Sequence, residues 1–117
     1  MRDHTKLKAF QMADALVIDV YKVTQEFPRD EVFSLTSQIR RAAVSVPSNI
    51  VEGCARDSEL EYIRFLDIAF ASLRELRYQI NLSNRLGYSN TNVLFEIEER
   101  IVEIEKVIGG LIRSLKR

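Results

Sequence analysis

An all-α chain, folded as one antiparallel up-down-up-down four-helix bundle, is what the sequence predicts. Apolar residues recur three and four positions apart along four successive segments, the period of a helix that buries one face. Only 4 glycines and 2 prolines interrupt 117 residues, so turns are few and short and elements are long. No segment alternates apolar and polar residues as a half-buried strand does. The length suits a single domain over 1–117, and 46% apolar residues suffice for a core.

The first helix is expected over about 5–27, with Phe10, Ala13, Val17, Val20, Thr24 and Phe27 on its inner face. Pro28 ends it, because the residue before a proline is pushed out of the helical region. The second is expected over 34–55 with Ser34 as N-cap and Leu35, Ile39, Ala42, Val46, Ile50 and Gly53 facing inward. Pro47 lies inside this pattern and removes one backbone donor. The periodicity continues past it, so a kink is expected, with a break as the alternative. The third helix, 58–86, opens on the capping pair Ser58 and Glu61. It carries Tyr62, Leu66, Ala69, Leu73, Leu76, Ile80 and Ser83 inward, and Gly87 closes it in a left-handed cap. The fourth, 90–115, has an unbroken seam of Leu94, Ile97, Ile101, Ile104, Ile108, Leu111 and Leu115. Short links between four such helices give near-parallel packing of sequential neighbours.

Composition excludes several function classes. Basic and acidic residues number 17 each, so the chain has no bulk charge with which to coat nucleic acid. No run of about 18 apolar residues exists to span a membrane. The single Cys54 rules out an intrachain disulfide, and the charged start carries no signal-like apolar stretch, so a cytoplasmic protein is expected. The only histidine, His4, falls in what reads as a frayed, solvated N-terminus. It cannot supply the paired Glu-x-x-His motifs of a di-iron bundle, and Cys54 has no partner for zinc. Cys54 reads as a small core or interface residue. Phosphate loops and nucleophile elbows are absent. The acids from Glu96 to Glu105 read as a solvated face, and Tyr62, Phe65, Phe70 and Tyr78 mostly as core by spacing. No catalytic residue, cofactor, metal or small-molecule substrate is predicted.

Two features remain. The first is an excess of apolar positions away from the inner faces: Val44 and Val51 on the second helix, Ile68, Leu82 and Leu86 on the third, Phe95 and Val102 on the fourth. A second stripe at helical spacing marks a surface that packs against another copy of the chain. Ordinary surface hydrophobicity is the alternative. The second is a polar line on the second helix: Gln38, Ser45, Asn49, Glu52 and Arg56, with Arg41 at its edge and Arg40 on the opposite flank. Serine and asparagine compete with the backbone for hydrogen bonds inside helices. One role is structural, with Ser45 or Asn49 serving carbonyls that Pro47 leaves free and Glu52 pairing with Arg56. The other is recognition of phosphate or carboxylate by Arg40, Arg41 and Arg56.

The stretches LTSQIRRAAVSVPSNIVEGCAR, residues 35–56, and EYIRFLDIAFASLRELRYQINLSNRLGY, residues 61–88, closely resemble a known signature. It is that of the bacterial four-helix-bundle family first noted as the product of intervening sequences in 23S ribosomal RNA genes. That family shares its fold with the accessory variability determinant proteins of diversity-generating retroelements. The matching positions are Arg40, Arg41, Ser45, Pro47, Asn49, Glu52, Gly53 and Arg56. The resemblance implies up-down bundles assembled as ring-like homopentamers. In the basic retroelement branch it implies binding to nucleic acid and a reverse transcriptase. This chain departs from that branch in its balanced charge, so reverse-transcriptase binding is not carried over, and no ribosomal role follows from the family's historical name.

The expected function is a non-enzymatic, homo-oligomeric scaffold or interaction protein. The alternative is an RNA- or DNA-binding module using Arg40, Arg41, Arg56, Arg74, Arg77 and Arg85 with Arg113, Lys116 and Arg117, gathered into a larger field by the oligomer. A third reading, an enzyme, requires a pocket holding Glu52, Asn49 and Tyr62 or Tyr78 with a perturbed carboxylate.

Overall fold

A computed structural model describes residues 2–117. It has four α-helices and, among the described residues, no strand: α1 (Lys8–Thr24), α2 (Leu35–Cys54), α3 (Glu59–Arg85) and α4 (Thr91–Leu115). Short 3-10 turns occupy His4–Lys6 and Arg29–Glu31. The molecule measures 43 × 23 × 20 Å, and the 27 residues of α3 alone span about 40 Å at 1.5 Å per residue.

Successive helices run in opposite directions, as side-chain pairs across each seam record. Arg2, ahead of α1, donates its backbone N–H to the carbonyl of Cys54 at the far end of α2 (3.1 Å). Ser45 of α2 meets Ser72 of α3. Arg77 and Asn81 of α3 meet Glu105 and Glu98 of α4 respectively. Arg100 of α4 reaches Asp19 of α1 at 2.6 Å. The helices form a ring in which α1 and α3 each pack against both α2 and α4.

α2 and α3 bury the stripes expected of them, while α1 and the end of α4 bury lines shifted from the expected ones. The fully enclosed side chains include Leu16 and Val20 of α1, Ile39 and Ile50 of α2, Leu66, Leu73, Leu76 and Ile80 of α3, and Leu94, Ile101, Ile104 and Ile108 of α4. α2 runs unbroken through Pro47, whose ring is buried; a break is excluded.

The caps explain where the helices stop. Gly87 has φ 74°. Around it Gly87 N–H bonds the Asn84 carbonyl and Tyr88 N–H the Ser83 carbonyl, the paired closure of a Schellman end. Ser58 accepts from the Glu61 N–H and Asn90 from Asn92 and Val93. Ser34 differs from expectation: its hydroxyl makes no cap bond. Glu31, one turn earlier, reaches forward and accepts from the Leu35 N–H instead (3.3 Å). The outermost turns expected of the first helix are 3-10 or irregular, so it spans 8–24, not 5–27. His4 is not frayed; its ring packs edge-on against Phe10, centroids 4.8 Å apart.

Glu31 also ties two connections together, because Tyr88 donates to its other oxygen at 2.6 Å. The Tyr88 hydroxyl and the Leu35 N–H hold the Glu31 carboxyl below its ordinary value of 4.5, and Glu31 pushes the Tyr88 phenol above its ordinary 10.0. The lowered carboxylate contributes stability above its unfolded pKa that is lost as pH falls through the folded value. The raised phenol contributes stability below its unfolded pKa that is lost as pH rises through the folded one. Tyr88→Phe is therefore expected to return the Glu31 titration, followed by carboxyl NMR, upward toward 4.5. A Glu31 pKa unmoved by the substitution overturns this account.

Candidate interaction surface

The polar line on α2 is drawn together with α3. The Ser45 and Ser72 hydroxyls lie 2.8 Å apart, joining the two helices. Asn49 donates its side-chain amide to the Ser45 carbonyl at 2.8 Å and to its hydroxyl at 3.0 Å. The carbonyl that Pro47 deprives of a helical donor is Ala43's, four residues back, so Asn49 serves a neighbour of that carbonyl and not the carbonyl itself. Glu52 and Arg56 pair at 3.5 Å, and the Arg56 guanidinium lies 4.9 Å from the Phe65 ring centre.

Of the three arginines expected to offer forked donors, Arg40 is committed to the fold. Its Nε donates to Thr24 Oγ1 at 2.9 Å, Nη2 donates to the Tyr21 carbonyl, and the guanidinium covers the Tyr21 ring. Arg56 has its carbonyl capped by Arg2 Nη1 at 3.0 Å. Arg41 is exposed and donates only to Ser37, at 3.4 Å. The line is thus a seam between helices, with Arg41 exposed and Arg56 paired with Glu52 at its edges.

Cys54 and Tyr62 face each other beside Gly53. Burial raises the Cys54 thiol, and burial together with Cys54 pushes the Tyr62 phenol up to about 12. Both stay neutral near pH 7. Arg2 lies 4.1 Å over the Tyr62 ring.

Two readings from the sequence require correction. Tyr78 is not core but 61% exposed, beside Arg74, Arg77, Asn81 and Glu98 in a groove of about 500 Å³ between α3 and α4. Glu105 is not on a solvated face. It is buried, facing Arg77 at 3.3 Å and Arg74 at 3.6 Å, with Oε2 accepting no hydrogen bond. Removing a partner is costly when it strands a buried charge, and here only Glu105 is buried, Arg74 and Arg77 being 62% and 42% exposed. Glu105→Leu is therefore expected to leave stability unchanged or raise it. Arg77→Ala, discounted because Arg77 is 42% exposed, should lower it by about 1 kcal/mol. Urea unfolding at fixed protein concentration checks the pair, and the reverse order of stabilities would refute it.

The apolar positions left outside the core fall on more than one face. On α2, Val44 and Val51 are exposed and flank a groove of about 280 Å³ formed with Phe10, Asp14 and Val17 of α1, floored by Pro47. An adjoining hollow of about 610 Å³ is lined by Tyr21, Val32, Phe33, Thr36, Arg41 and Val44 among others. Phe33 is 97% exposed. The two recesses meet at Val44 and run along α1 and α2. Ile68 and Leu86 are exposed on α3 but stand 18 positions, or about 27 Å, apart along the axis. Leu82 is half-buried and packs on the core. Phe95 is exposed and Val102 half-buried on α4. Sequence reasoning found Val44 and Val51 but passed over Ile18, Tyr21, Val32 and Phe33. The signal for the last two was an apolar pair in a short connection otherwise made of Pro28, Arg29, Asp30 and Glu31.

Among the described residues no cluster of three metal-ligating side chains occurs, and no helix is long and apolar enough to cross a membrane.

Comparison with curated proteins gives no match. Among solved structures, the fold is similar to that of a protein of unknown function from the S23 ribosomal protein family of Bacteroides thetaiotaomicron. The two agree with a TM-score of 0.83 at 22% identity, over 90% of this chain and 95% of the other. The profile of the family described as 23S rRNA-intervening sequence protein matches residues 5–110. With the bundle, the 35–56 signature and nearly the whole length in agreement, the chain belongs to the 23S rRNA-intervening sequence protein family.

Proposed function

We propose that the chain is a non-enzymatic, homo-oligomeric scaffold or interaction protein whose α1–α2 face packs against another copy. The observation that carries this reading is the set of exposed apolar side chains on that face, Val32, Phe33, Val44 and Val51, over an α2 poor in charge. α2 holds three charged residues in 20, namely Arg40, Arg41 and Glu52, and Arg40 is turned onto α1. α3 holds eight in 27 (Glu59, Glu61, Arg64, Asp67, Arg74, Glu75, Arg77, Arg85). α4 likewise holds eight in 25 (Glu96, Glu98, Glu99, Arg100, Glu103, Glu105, Lys106, Arg113). Depletion of charge with enrichment of aromatics is the composition of an interface centre. Resemblance to ring-forming relatives supports a pentamer as the assembly. Light scattering after gel filtration at micromolar concentration tests it. A mass several times 13.5 kDa is expected, and a single 13.5 kDa species overturns the proposal.

A second reading, RNA or DNA binding, rests on exposed Tyr78 beside Arg74 and Arg77, a ring for stacking next to forked donors. Glu98 in the same groove and Glu105 paired with both arginines oppose it. Affinity for a fluorescent single strand must then fall steeply with salt, and binding absent at low salt removes this reading.

A further inference from the structure

The α1–α2 face carries both a knob and a recess, and they cannot serve each other within one molecule. Phe33 projects from the connection before α2 with almost none of its side chain covered. The groove formed by Phe10, Val17, Val44, Pro47 and Val51 begins farther along the same helix pair. From Leu35 to Val44, where the groove starts, is 9 residues of α2, or about 14 Å of helix axis, beyond the reach of a phenylalanine side chain. We infer that Phe33 of one copy seats in the α1–α2 groove of another copy. This inference rests on the self-association proposed above.

Two further features point to a second copy as occupant. An aromatic anchor in a recess flanked by small and apolar residues is the usual centre of binding energy in an interface, and Ser48 and Val51 leave the groove rim open. Charges at the two ends also match. Asp14 lines the groove and is exposed, and it forms no ion pair among the described residues. Arg41 lines the hollow that holds Phe33 and is likewise without an acidic partner among them. Seating Phe33 of one copy in the groove of another sets a surface that includes Arg41 against one that includes Asp14. Rim charges of this kind set orientation more than affinity. Leu60, also well exposed, sits between Glu59 and Glu61 at the start of α3 and lines neither of these two recesses.

Three variants test the contact by sedimentation over a concentration series, each first checked for native helicity by circular dichroism. Phe33→Ala removes the knob, Ser48→Arg obstructs the groove at an exposed position, and Leu60→Ala is the control. The first two are expected to raise the concentration for half-association roughly 30-fold or more, as loss of an interface anchor does, while the control matches the parent chain. Mixing Phe33→Ala with Ser48→Arg is expected to restore a two-subunit species, since the first supplies an open groove and the second an intact knob. A parent chain that self-associates while Phe33→Ala associates equally well overturns the knob and leaves the scaffold reading standing. Failure of the mixture to pair when the parent chain associates overturns the seating of knob in groove. A parent chain that stays monomeric throughout overturns both.

Discussion

Leu73→Ala is expected to lower the free energy of unfolding by about 3 kcal/mol, within the range of about 2–5 kcal/mol found for buried leucines. Leu73 is fully buried near the middle of α3, the longest of the four helices, packed on one side by α2 and on the other by α4. Truncation there removes apolar contacts and leaves a void inside a core of fully buried side chains. The wall cannot collapse readily, because α3 is pinned to α2 by the serine pair and to α4 by Arg77 and Asn81. Leu60→Ala, on the exposed first turn of the same helix, is expected to stay within about 0.5 kcal/mol of the parent chain. Urea denaturation of both at one protein concentration makes the comparison, since association contributes to apparent stability. A loss below about 1 kcal/mol for Leu73→Ala would mean that the helices close over the gap, contrary to the pinned arrangement.

The bundle was legible because burial follows rotation about each helix axis, and rotation can be counted along a sequence. The count drifts, however. A strict alternation of three and four averages 3.5 residues per turn, and a straight helix departs from it by about 20° per heptad. On α4 the expected seam holds from Leu94 to Ile108, but beyond it Ile112 is buried while Leu111 and Leu115 are half-buried. On α1 the expected Phe10 and Val17 lie at the flank, and the buried line includes Ala9, Leu16 and Val23. A search weighted by hydrophobicity prefers phenylalanine to alanine, yet the small Ala9 sits inward.

The polar features were harder to read for a different reason. Which residue Ser45, Arg40 or Glu105 meets depends on how a second helix is rotated and shifted against the first. Ser45 finds Ser72 27 positions away, Glu105 finds Arg77 28 positions away, and Arg40 turns back across 16 positions to Thr24. Local spacing carries the Glu52–Arg56 pair and nothing about the other three. Phe33 escaped because a connection has no period for a side chain to break.

Gly53→Ala and Gly110→Ala are expected to change stability in opposite directions, although both put a methyl on an α-helix. Alanine is favoured over glycine in a helix interior by about 1 kcal/mol, and that gain is common to the two sites. The surroundings are not. A Cβ on Gly53 would stand 2.9 Å from the Cβ of Phe65, 3.2 Å from Cδ1 of Tyr62 and 3.4 Å from the Tyr62 carbonyl oxygen. The Phe65 Cβ is fixed to the backbone of α3, so no rotamer change relieves the contact and the two helices must separate. Such overpacking costs about 1–3 kcal/mol, leaving Gly53→Ala a net loss of up to about 2 kcal/mol once the helix preference is subtracted. A Cβ on Gly110 would approach only the tip of the Arg113 side chain, at 3.8 Å, which can swing aside, so Gly110→Ala should gain about 0.5–1 kcal/mol. Gly53 belongs to the 35–56 signature, and the expected split gives that position a structural explanation: a glycine is required where α2 and α3 come closest beside Tyr62. Parallel shifts of the two variants in urea unfolding would show that α2 and α3 have room to spare there.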